Sequence, residues 1–167
     1  VIFDGGTGQY FGDERVRNGH RSEALHSGIS SEKNPWAEIK GLFEIPNPPI
    51  GEFELIGEVV KIGCRHPSEG WAERRISLSG GMVTIDDRLE LNEAVVRFIV
   101  QERGKVVISD GIWTMKWNDW EINHSPIPEN YKVVDSRIST GYGRFEECHS
   151  IEFHHEKGVL CTTRIVS

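Results

Sequence analysis

The sequence predicts an all-β fold in which antiparallel sheets stack as a sandwich. Apolar residues recur at every second position in runs of five to seven. Gly, Pro, Asn and Asp separate those runs, as turns between strands require. Helical periodicity is almost absent, and 167 residues suit one domain. Residues 1–167 are therefore read as a single sandwich unit, incomplete at its N-terminal edge because "VIFDGG" opens in mid-strand.

Taken in order, the first element after that strand is polar. "RVRNGHRSEALHSG", residues 15–28, holds three arginines, two histidines and a glutamate, and buries little by itself. Asp13 is placed to cap a helical turn or two before Glu14, with Gly19 expected to interrupt it. "PNPPIG" at 46–51 reads as a stiff extended connector, since proline fixes φ and keeps the preceding residue out of a helix.

Strands follow from residue 52. "EFELIGEVVKI" puts Phe53, Leu55 and, past a glycine, Val59 and Val60 toward one side. Ile76, Leu78, Val83 and Ile85 alternate around a Gly80–Gly81 turn. "EAVVRFIVQERGKVVISDG" reads as two strands reversing at "ERGK". After "IWTMKW" and "YKVVDSRIS", the chain closes on a hairpin turning at Glu156–Gly158, with His154 and His155 solvated at its tip on opposite faces. Trp113 and Trp117 share a strand face, and Trp120 falls opposite or in the turn after Asn118–Asp119. These tryptophans fill the core or stack on sugar rings.

Composition excludes several classes. Lys and Arg are outnumbered 19 to 26 and net charge is −7, so nucleic acid is not an expected partner. Apolar runs such as "AVVRFIV" are far shorter than a membrane span, and mean hydropathy is −0.40. Cys64, Cys148 and Cys161 are odd in number and lack CxxC spacing, which reads as reduced thiols on strands. The chain begins with Val and no charged-then-apolar leader, as a piece of a longer protein would.

Chemistry concentrates between residues 4 and 26. Asp4 and His26 flank an irregular loop and offer the carboxylate and imidazole that a divalent ion such as zinc accepts, although two ligands do not complete a site. Arg17 and Arg21 stand four apart, a spacing that suits bidentate capture of a ligand's carboxylates or pairing with Asp13, Glu14 or Glu23. Tyr10 can stack on a sugar or cap the core.

"FDGGTGQYFGDERVRNGHRSEALHSG" resembles the β-domain of the heparinase II/III-like polysaccharide lyases, in which a segment D-P-G-T-x-x-Y-x-G-D-x-x-x-R-N-x-x-R-S-x-x-x-H-N-T-V follows a strand. Eleven of the twelve specified positions from Asp4 to His26 match that pattern, without a gap. "ERRISLSGGMVTIDDRLE" and "RISTGYGRFEE" are similar to later family segments, so the resemblance runs along the whole chain.

The resemblance implies a super-sandwich that forms the C-terminal part of a lyase acting on uronic-acid polysaccharide by β-elimination. The family's catalytic acid and base come mainly from an upstream helical toroid, so it implies no catalytic residue here. It implies Asp4 and His26 as two ligands of a divalent metal, zinc or calcium, with the third ligand upstream. Tyr10 and Arg21 are implied substrate contacts. The implied partners are an acidic polysaccharide and the helical domain, and the implied location is the periplasm or exterior of a bacterium. Gly5 departs from the family's Pro, and Ser27–Gly28 from its Asn-Thr, which alters the surroundings of the His26 ring. A non-catalytic carbohydrate-binding sandwich or a purely structural one is the alternative.

Overall fold

A computed structural model of the chain describes residues 2–3, 13–41, 44–141 and 143–167. In chain order its elements are β1 (Ile2–Phe3), α1 (Glu14–Arg21), a 3₁₀ turn (Glu23–Leu25), β2 (Gly28–Ser31), β3 (Ile50–Ile56), β4 (Val59–Arg65) and β5 (Trp71–Ser79). They continue with β6 (Met82–Leu89), β7 (Ala94–Val100), β8 (Lys105–Ser109), β9 (Ile112–Trp117) and β10 (Trp120–Ser125). The last three are β11 (Asn130–Gly141), β12 (Arg144–His155) and β13 (Val159–Val166). The fold is of the all-β sandwich class, with two antiparallel sheets. The chain divides into two compact units.

The first unit comprises Val1–Pro48, Glu93–Arg103 and Asn130–His154. Its sheet runs β1-β7-β12-β11, and β2 pairs with β7 as well. All seven residues of β7 are buried, and "AVVRFIV" is the near-continuous apolar run expected of a strand covered on both faces. Arg97 interrupts that run without leaving a charge unmet. Its Nε donates to Glu152 Oε1 (3.0 Å), and its Nη1 donates to the Glu23 carbonyl (3.1 Å) and Ser30 Oγ (3.2 Å). Ile99, Ile138 and Cys148 form a core cluster, and Phe98 meets Phe153 edge-on at 6.3 Å.

Helix α1 runs straight through Gly19. The Asp13 side chain caps it, accepting from Arg15 N at 2.8 Å. Burial of Arg17 and His20 anchors one face, which offsets the cost of a helical glycine, about 1 kcal/mol. The helix ends at Ser22, whose N–H and Oγ both donate to the Gly19 carbonyl.

The second unit comprises Pro49–Asn92, Gly104–Glu129 and His155–Ser167. Its sheet runs β3-β4-β5-β6-β13-β10-β9-β8. Gly80–Gly81 turns β5 into β6 as the spacing predicts, both residues having positive φ (57° and 80°).

Other expectations are corrected. Val60, not Val59, shares the face of Leu55, because the chain reverses at Gly57 and pairs Leu55 with Val60 and Phe53 with Ile62. "ERGK" and Glu156–Gly158 do not close hairpins. β7 lies in one sheet and β8 in the other, and likewise β12 and β13. Trp120 pairs directly with Trp117 and so shares its face. Trp113 is fully buried, which removes it as a sugar platform. His154 and His155 are also buried rather than solvated. Cys64, Cys148 and Cys161 are free thiols on strands.

Exposed apolar side chains gather on β3, an edge strand in which every residue is exposed. Phe53 (72%) and Ile50 (69%) lead them, followed by Leu55 (64%). No helix is long and apolar enough to cross a membrane.

Candidate functional site

Two groups of chemistry-bearing side chains are described, one in each unit. In the first, α1 presents Arg17 and Arg21 one turn apart, and both reach the same acceptor. Arg17 Nη2 (3.3 Å) and Arg21 Nη1 (3.1 Å) donate to the Gly41 carbonyl. Arg17 also pairs with Glu14 at 3.3 Å. The two guanidinium groups thus tie the helix to the segment around Gly41.

Beside the helix lies a pocket of about 360 Å³ whose wall includes Arg21, Glu32, Arg97, Lys132, Glu152 and His154. Its basic side chains have carboxylate company. Arg97 meets Glu152 at 3.0 Å, His154 Nδ1 meets Glu32 at 3.2 Å, and Lys132 meets Glu32 at 3.8 Å. A mixed-charge wall of this kind can hold hydroxyl-rich ligands as well as anionic ones.

His26 does not line that pocket. Its Nε2 lies 3.1 Å from the His20 carbonyl, an acceptor, so Nε2 carries the ring proton and Nδ1 is the nitrogen able to ligate a metal. The His20 ring stacks on Phe145 at 4.7 Å. Burial, and then the nearby His26, lower the His20 pKa. Asp4 and Tyr10 lie outside the described residues.

In the second unit, β10 and β13 bring together a group for which no role was expected. His124, His155 and Cys161 are all buried, and their ligand atoms lie within 4.8 Å of one another, so the group could hold a metal. The register explains the meeting. Thr163 of β13 pairs with His124 of β10, and Cys161 stands two residues before Thr163 on the same face. His124 Nδ1 contacts Thr163 Oγ1 at 2.7 Å, and its Nε2 contacts His155 Nε2 at 2.8 Å. The signal was present in the alternation. Cys161, Thr163 and Ile165 are the buried half of β13, and Ile122 with His124 the buried half of β10.

The electrostatics keep His124 and Cys161 uncharged. Burial, then the neighbouring His155 and Arg74, push His124 down to about 3. Burial, then the Asp87 and Asp86 carboxylates, raise the Cys161 thiol against an opposing Arg74. Arg74 grips the fully buried Asp87 bidentately, Nε to Oδ1 at 2.7 Å and Nη2 to Oδ2 at 2.8 Å.

No protein-family profile and no curated protein matches the chain. Solved structures do. Heparinase III, the BT4657 gene product, superposes with a TM-score of 0.69 at 18% identity over 99% of this chain and 27% of that one. Heparan sulfate lyase HepC from Pedobacter heparinus superposes with a TM-score of 0.63 at 15% identity over 98% of this chain and 28% of that one. The chain therefore spans little more than a quarter of the structures it matches, a share that fits one domain of a longer protein. Its fold is that of a heparinase III β-domain, as the residue 4–26 resemblance implied.

Proposed function

We propose that this chain is the β-domain of a heparinase II/III-like lyase, and that the whole protein cleaves a uronic-acid polysaccharide by β-elimination. The observation that carries this reading is the match to heparinase III over nearly the entire chain, joined to the eleven matching positions from Asp4 to His26. In β-elimination the uronate carboxylate is neutralised, a base takes the C5 proton, and an acid protonates the departing O4. An upstream helical domain supplies the base and acid.

This chain's own residues support the cleft. Arg21 lines the first unit's pocket and uses one of its five guanidinium donors on Gly41, which leaves donors for a carboxylate. Tyr10 is the second substrate contact. Asp4 and His26 hold a divalent ion together with an upstream ligand, and the His26 tautomer, with Nδ1 able to ligate, is compatible with that role. The ion would supply positive charge that fixes the loop and the adjoining cleft wall. The exposed apolar face of β3 is a surface for the upstream domain to cover. Such an enzyme belongs in a bacterial periplasm or outside the cell.

A non-catalytic glycan-binding sandwich is the second reading, favoured by the half-exposed Trp117–Trp120 pair on one face. The test begins with the mass of the native protein, detected by an antibody raised against this chain. A mass far above 18.9 kDa, and unsaturated uronate released from heparan sulfate or another polyuronate by that protein, supports the lyase. A mass near 18.9 kDa, or a full-length protein that releases no unsaturated uronate from any polyuronate, overturns it.

A further inference from the structure

We propose that His124, His155 and Cys161 form a second, buried site for a divalent transition metal of the zinc type, separate from any metal held by Asp4 and His26. The donor set decides the metal class. Two imidazole nitrogens and a thiolate suit zinc, cobalt or copper, whereas calcium and magnesium take oxygen ligands. None of the three residues exposes more than 4% of its surface, so the site is shut off from bulk solvent, and its three protein ligands leave a fourth position that a water molecule would fill.

The geometry is near what such an ion needs. Two nitrogens at about 2.05 Å from a tetrahedral zinc stand roughly 3.3 Å apart. The His124 and His155 Nε2 atoms are 2.8 Å apart, so accommodating an ion parts the rings by about half an ångström. The Cys161 sulfur, within 4.8 Å of both, closes in as the third ligand. Thr163 Oγ1 is placed to accept a proton from His124 Nδ1. With the Nδ1 proton donated to Thr163 Oγ1, the His124 Nε2 lone pair faces inward, the arrangement a ligating histidine needs.

Loading balances in protons and involves no redox change. In the empty site the His155 Nε2–H donates to His124 Nε2, and on binding that proton transfers to His155 Nδ1. The Cys161 thiol releases one proton to solvent as its sulfur bonds the ion. The site gains one positive charge overall, which the nearby Asp86 and Asp87 carboxylates favour and Arg74 opposes. The ion would join β10, the end of β12 and β13.

Because the site is closed, the protein is refolded with cobalt(II) alone and freed of excess metal. The expected result is bound cobalt with intense tetrahedral visible bands and a near-ultraviolet thiolate-to-cobalt band. Cys161→Ser and His124→Gln should each weaken cobalt binding at this site by at least about a hundredfold and abolish the thiolate band, since even outer-shell partners are worth ten- to a hundredfold. The wild-type spectrum needs no variant to fold. Refolded wild-type protein without cobalt, cobalt without a thiolate band, or a band that survives Cys161→Ser overturns the proposal. Metal at Asp4 and His26 would show no thiolate band, so that site and the lyase reading stand or fall separately.

Discussion

His124 and His155 meet through their Nε2 atoms, 2.8 Å apart, with the Thr163 hydroxyl 2.7 Å from the other nitrogen of His124. Both rings are buried, so a proton added to either loses hydration and faces its neighbour's ring.

Stability should therefore fall in mild acid. The folded protein holds His124 near 3, while an unfolded chain titrates it near the ordinary 6.5. The unfolded state takes up the proton first as pH drops. This contribution is complete above about pH 6.5 and declines by up to about 1.4 kcal/mol per pH unit toward pH 3. Urea midpoints at about pH 7.5 and about pH 5 check it, and His124→Gln should flatten the difference. Equal midpoints in the wild type would remove the argument.

The Arg74–Asp87 pair should be costly to break from one side. Asp87 is fully buried, and its two oxygens are held at 2.7 and 2.8 Å. Arg74→Met leaves that charge uncompensated and should cost about 3–5 kcal/mol in urea unfolding. Arg74→Met combined with Asp87→Leu should cost clearly less, because no lone charge remains. A double variant as unstable as the single one would contradict this.

Gly63 should resist even the smallest side chain. A Cβ there would overlap the far edge of the Trp71 indole, which lies across it from β5. Gly63→Ala should cost about 1–3 kcal/mol by overpacking. Adding Trp71→Ala should make the pair less damaging than the sum of the two changes. Strict additivity would place the cost elsewhere.

Arg21 provides a test that rests on the lyase reading. Losing one hydrogen bond to a charged group is worth about 1.5 kcal/mol, or roughly tenfold. In the full-length protein, Arg21→Ala should raise KM for uronate substrate about tenfold and leave kcat within about threefold. Arg17 keeps its own bond to Gly41, so the segment stays tethered. An unchanged KM removes Arg21 from substrate contact.

The strands were legible one at a time because alternation is a local property of the chain. Their partners were not. "ERGK" and "HEKG" carry turn chemistry, yet each joins strands of different sheets, since a turn sequence bends the chain without specifying which edge the next strand pairs with. The Asp13 cap was legible for the same local reason, whereas the passage of α1 through Gly19 depended on burial of Arg17 and His20.

The segment from Asp4 to His26 was likewise contiguous, which is why a motif could point to the heparinase fold before any superposition. His124, His155 and Cys161 form no motif. His124 lies 31 positions before His155, and the three come together only when β10 pairs with β13 and His155, the last residue of β12, meets His124. Sequence spacing encodes the face each side chain takes on its own strand. Register between distant strands, set by long-range pairing and burial, decides which faces meet.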